Sequence, residues 1–137
     1  MSAAPRDQEI LDRNQAMLES VVRGDWSAYS SFCHTDLSCF EAETEGLLAE
    51  GLAFHRFYFQ QPASPIDAPA PEAPAPKAQV TMARPHLRWL GDDSVVLSYT
   101  RLTQHWHEGT PQTSRCCETR VWQRLKGKWL QVHVHRS

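Results

Sequence analysis

Arg101, Arg120 and Arg136 each stand on a segment whose neighbours are otherwise apolar or aromatic. If those segments are strands, alternation puts Val95, Leu97, Tyr99 and Arg101 on one face, and Leu130, Val132, Val134 and Arg136 on another. On the segment between them Glu118, Arg120 and Trp122 share a face, so Glu118 can partly neutralise Arg120. A guanidinium offers a planar fork of donors suited to a carboxylate or phosphate, and it stays charged at any physiological pH. Burying such a charge is costly unless it is matched. Two matches remain open: structural ion pairs with Glu41, Glu43, Glu50 and Glu118, or an anion that comes from outside. His55, on the apolar side of a helical segment, would look into the same cavity, with Tyr99, Glu118 and His135 as supporting groups.

Other chemistry is weakly marked. His105 and His107, and His133 and His135, form His-x-His pairs on strand faces, but local spacing marks no third ligand, so no metal is expected. Cys116 and Cys117 lack a histidine-asparagine signature and read as buried small apolar groups. Glycine-rich phosphate loops, nucleophile elbows and nucleotide fingerprints do not occur. No cofactor is expected.

The elements that must position the arginines follow from periodicity and punctuation. Ile10-Leu11, Met17-Leu18 and Val21-Val22 recur at helical spacing, and Arg23-Gly24 closes that helix. Asp25 caps a short second helix carrying Trp26, Tyr29 and Phe32. A short strand is predicted near Leu37–Glu41. A third helix places Leu52, His55 and Phe59 on one face and ends before Pro62. Residues 62–77 hold six of the nine prolines and read as an extended loop insertion rather than a domain boundary. Four strands follow at about 79–90, 94–106, 113–125 and 128–136, turned by Gly91-Asp92-Asp93, Glu108-Gly109 and Lys126-Gly127. Helices first and a meander after predict one α+β domain over residues 1–137, with helices in the curve of a bent sheet.

Bulk properties narrow the function. A chain of 137 residues can bury a sizeable core unaided. Its net charge of −2 gives no global field for nucleic acid or an anionic membrane, so the arginines are a local device. Four cysteines without ladder or Cys-x-x-Cys spacing predict a reducing cytoplasm. Neither a secretory signal nor an apolar run long enough to span a membrane is visible.

Several blocks in register also carry a family resemblance. The segments Glu50-Gly51-Leu52-Ala53-Phe54-His55-Arg56-Phe57-Tyr58-Phe59, Arg101-Leu102-Thr103-Gln104, Glu118-Thr119-Arg120-Val121-Trp122 and His133-Val134-His135-Arg136-Ser137 resemble the association (hub) domain of calcium/calmodulin-dependent protein kinase II. Gly24-Asp25-Trp26 and Phe40-Glu41-x-Glu43 fit the same pattern, so the likeness runs from about residue 8 to the C-terminus. It implies the cone-shaped fold of the nuclear-transport-factor-2-like and SnoaL-like superfamily: N-terminal helices in the concave face of a curved antiparallel sheet. It further implies a non-catalytic module that self-associates as a dimer or larger oligomer. A pocket lined by His55, Arg101, Arg120 and Arg136 would bind a small carboxylate, and stand-alone relatives are expected in bacteria. Kinase activity is not implied, because no kinase segment is present. An alternative is a small isomerase, cyclase or dehydratase acting on an anionic small molecule. Three repelling guanidinium groups would then be offset by the ligand, so that losing Arg120 should leave the fold intact or even relieve it.

Overall fold

The computed structural model describes residues 3–41, 44–60 and 78–137. Helix α1 (Pro5–Arg23) begins with proline in its first turn and ends at Gly24, whose φ of 69° is the left-handed geometry that closes a helix. Asp25 then caps α2 (Trp26–Ser31), its carboxylate accepting from the Ala28 amide at 3.1 Å. Strand β1 (Cys33–Phe40) is longer than the segment predicted from sequence. After the two-residue β2 (Ala49–Glu50), Gly51 adopts φ 98° and donates its amide to the Leu37 carbonyl at 2.8 Å. That turn, tied directly to β1, launches α3 (Leu52–Gln60). The proline-rich segment 62–77 and Glu43 lie outside the described residues.

Strands β3 (Gln79–Trp89), β4 (Ser94–His107), β5 (Thr110–Leu125) and β6 (Lys128–Arg136) follow as the expected meander. The β4–β5 and β5–β6 hairpins turn on Glu108-Gly109 and Lys126-Gly127, with both residues of each loop at positive φ. Two successive positive φ values make the tight turn whose twist matches that of the strands. Pro85 is tolerated because β3 is an edge strand, and the ladder is interrupted there between Ala83 and His86.

The six strands form one curved, unclosed sheet in the order β2-β1-β6-β5-β4-β3. Strands from both sides of the proline-rich segment thus share one sheet. All pairs are antiparallel except β1 with β6, which run parallel. Ile10, Met17 and Leu18 of α1 and Tyr29 of α2 join Leu37, Val95, Leu97, Trp122, Trp129 and Val134 in the core. The α+β architecture read from the sequence is the one observed.

One expected stripe is broken. Val121 pairs with His133, yet the next residue, Trp122, pairs with Gln131, so β6 carries one extra residue at this point. The bulge inverts the alternation. Trp129 and Gln131 therefore face the core with Val134, while Leu130 and Val132 are only partly buried. The predicted face Leu130-Val132-Val134-Arg136 is corrected accordingly.

Candidate functional site

Strand register assembles the arginines in rows. Tyr99 pairs with Glu118, and Glu118 with Arg136, across β4, β5 and β6. One step along, Leu97, Arg120 and Val134 form the next row, and Arg101 opposite Cys116 lies on the other side. Directly paired residues point to the same face of a sheet, so register alone brings three guanidinium groups together.

Arg120 lies deepest and is satisfied from within. Its Nε donates to the Tyr99 hydroxyl at 2.9 Å, Nη1 donates to Gln131 Oε1 at 2.6 Å, and Nη2 reaches Glu118 Oε1 at 3.2 Å. The Tyr99 hydroxyl donates to the same carboxylate oxygen at 2.5 Å. The other side of that carboxylate, Oε2, meets Arg101 Nη1 at 3.0 Å. Burial alone would raise the Glu118 pKa, but Arg120 and Arg101 outweigh it and hold the carboxyl below its usual range. Burial likewise pushes the Tyr99 phenol up to about 12, which keeps it a proton donor.

Gln131, brought inward by the bulge, extends this network toward the helices. Its amide Nε2 donates to the Tyr29 hydroxyl at 3.3 Å and to Cys33 Sγ at 2.9 Å. Tyr29 Oη in turn lies 2.6 Å from His55 Nδ1, and the two rings stack at 5.8 Å. Burial depresses the His55 pKa; Glu41 opposes that, while Arg120 and Arg136 add to it. His55 is therefore a neutral imidazole near pH 7. Arg136 approaches Glu41 Oε2 at 3.9 Å, and Glu41 sits beside His55. All four sequence-identified residues, His55, Arg101, Arg120 and Arg136, thus belong to one connected group.

The supporting residues divide. Tyr99 and Glu118 are central to the network. His135 is not brought to it: it is exposed on the opposite face of β6 and packs against Phe40 at 5.4 Å. His133 shares that outer side and bonds the Ser38 hydroxyl at 2.7 Å. The cysteine expectation also needs correction. Cys117 is exposed and Cys116 half-buried, whereas Cys33 and Cys39 are buried. Tyr29 and Gln131 were missed, the first because it belongs to another element and the second because the bulge hides its parity.

The arginines differ in what they can still do. Arg101 Nε is buried and has no hydrogen-bond partner among the described residues. The Arg101 and Arg136 side chains keep 19% and 25% of their surface accessible, against 5% for Arg120. An incoming anion could therefore reach the outer two far more readily than Arg120.

The family model for the association domain of calcium/calmodulin dependent protein kinase II matches residues 6–137. This chain belongs to that family. The association domain resembles the delta subunit of the type II kinase from Oryctolagus cuniculus, with 39% identity over 133 residues. That alignment covers 96% of this chain and 24% of the kinase subunit, so the chain spans about a quarter of that relative. Among solved structures, the kinase II hub homology domain of Chlamydamonas reinhardtii superposes with a TM-score of 0.86 at 42% identity, covering 96% of this chain and 97% of that one. The association domain of the C. elegans kinase gives 0.82 at 34% identity, with coverages of 96% and 95%. A nuclear-transport-factor-2-like protein of Salmonella enterica shares the fold at 19% identity and a TM-score of 0.69, covering 95% and 88%.

Proposed function

We propose that this association domain is a non-catalytic module that assembles with copies of itself and holds a small carboxylate against Arg101 and Arg136. The observation that carries the ligand reading is a charge imbalance in a partly dry place. Among the described residues, three guanidinium groups, Arg101, Arg120 and Arg136, meet two carboxylates, Glu118 and Glu41. Of the three, Arg101 and Arg136 retain the most accessible surface. Arg120 then serves as the buried anchor that fixes Glu118 rather than as a direct ligand. His55, neutral and oriented by Tyr29, forms the wall of the site.

Self-association is supported by family membership and by large apolar side chains left exposed, among them Trp106 on the β4–β5 hairpin and Leu90 after β3. A reducing cytoplasm suits the four cysteines, none of which is joined in a disulfide. Among the described residues no helix is long and apolar enough to cross a membrane.

Calorimetric titration with acetate and butyrate tests the ligand reading. Saturable binding is expected, and Arg101→Gln should weaken it by about 1.5–3 kcal/mol, the scale of one charge-assisted hydrogen bond. Equal affinity in parent and variant would remove Arg101 from the site. Light scattering on the same samples should report at least a dimer.

A further inference from the structure

Where β1 ends beside α3, three ligand-type side chains converge from two elements. Cys39 Sγ, a carboxylate oxygen of Glu41 and a ring nitrogen of His55 all lie within 4.8 Å of one another. Cys39 and Glu41 are two residues apart, so they project to one side of the strand. His55 arrives from α3, whose start is fixed to β1 by the Gly51 amide. Cys39 and His55 are buried, and the Glu41 side chain retains only 8% of its surface. Glu41 Oε2 has no hydrogen-bond partner among the described residues, and its ion pair with Arg136 is long at 3.9 Å. A buried carboxylate oxygen so weakly matched is an unusual cost in an otherwise satisfied region.

We propose that Cys39, Glu41 and His55 form a binding site for a borderline-soft divalent metal ion of the zinc class. One thiolate, one imidazole and one carboxylate is a donor set that such ions accept, and three protein ligands leave a fourth position for water or an anion. Tyr29 Oη lies 2.6 Å from His55 Nδ1 and fixes the orientation of the ring. A ligating histidine whose other nitrogen is held by an oxygen partner is the usual outer-sphere arrangement. The Glu41 backbone is braced as well: its amide and carbonyl both bond the Thr44 hydroxyl, at 3.3 and 2.8 Å. Tetrahedral bond lengths of about 2.0–2.3 Å place ligand atoms roughly 3.3–3.8 Å apart, so closing on an ion needs a shift of about an ångström. Binding releases the Cys39 proton to solvent, and the thiolate and carboxylate together balance the ion's two positive charges.

Local spacing could not reveal this group, because the histidine pairs singled out by sequence lie on strand faces elsewhere. The proposal does not rest on the carboxylate reading, since metal can be titrated alone. The reduced full chain is titrated with Co²⁺ in carboxylate-free buffer, which reports thiolate ligation as a sulfur-to-metal charge-transfer band. One equivalent per chain should generate the band, and Zn²⁺ should bleach it. The band should persist in Cys116→Ser/Cys117→Ser and vanish in Cys39→Ser, whose integrity is checked by its melting transition in chelator. Glu41→Gln and Tyr29→Phe should each weaken Co²⁺ binding by roughly 10–100-fold. Absence of a thiolate band in the reduced parent overturns the proposal whether or not any variant folds, leaving Cys39 as packing and Glu41 as counter-ion to Arg136. A band unchanged in folded Cys39→Ser overturns it too.

Discussion

Arg120 and Arg124 stand four residues apart on β5, and each pairs with a carboxylate, yet the two pairs are different objects. Arg124 grips Asp93 at 2.6 and 2.8 Å, closer than Arg120 approaches Glu118. However, both partners are substantially exposed, at 42% and 66% of their side-chain surface. Water solvates those charges almost as well when the pair is broken, so shorter distance does not mean greater stabilisation. Arg120 and Glu118 have no such alternative, being shut between sheet and helices with Tyr99 and Gln131 completing their bonds. The lesson is that burial, not bond length, decides what an arginine is worth to this fold.

The most severe way to break the contrast is Arg120→Gln. It leaves Glu118 buried with Arg101 as its remaining guanidinium partner, and a loss of about 3–5 kcal/mol in urea unfolding is expected. That reverses the sign suggested by sequence, where removing a repelling charge would have relieved the empty protein. A loss below about 1 kcal/mol would show that the network reorganises around glutamine.

Acid sharpens the comparison by titrating the buried region directly. The folded-state pKa values of His55 and Glu118 are both depressed, so the unfolded chain takes up each proton first. Each contribution is present above the unfolded-state value and is lost as pH falls through the folded one. Stability should therefore decline in two stages, beginning below about 6.5 for histidine and below about 4.3 for glutamate. His133, depressed mainly by partial burial, adds to the upper stage. Melting temperature followed against pH in His55→Gln and His133→Gln should show each reducing the upper stage and leaving the lower one. An unchanged upper stage in the double variant would remove these histidines as its source.

The smallest effect is expected at the exposed end. Arg124→Ala should cost no more than about 1 kcal/mol and become still smaller in high salt. Part of that loss is packing, since the guanidinium also lies over the Trp129 ring at 5.4 Å. A loss matching that of Arg120→Gln would mean that exposure is not the deciding variable.

Much of the frame was legible because it is local. Gly24 and Asp25 announce the helix boundaries, and Glu108-Gly109 and Lys126-Gly127 announce the hairpins, through conformations that depend on adjacent residues alone. The β1–β6 parallel pair was not legible, because nothing near Cys39 names a partner at Val134. Nor was the bulge at Val132, since counting alternate residues assumes an unbroken pleat. At the candidate site, the proximity of Arg101, Arg120, Arg136 and His55 was foreseeable from residue type and motif. Their division into one buried and two more accessible arginines was hidden, because it depends on Gln131 arriving from elsewhere.

The placement of β6 also has a consequence for synthesis. It lies between β1 and β5, so Cys39 pairs with a residue 95 positions later, Val134. A nascent chain that has emerged only as far as β5 holds β1 and the hairpin strands as two unjoined edges. The sheet cannot close until the segment 128–136 clears the ribosome and inserts between them. Such late, long-range pairing predicts slow folding and a window in which exposed strand edges depend on protection from aggregation.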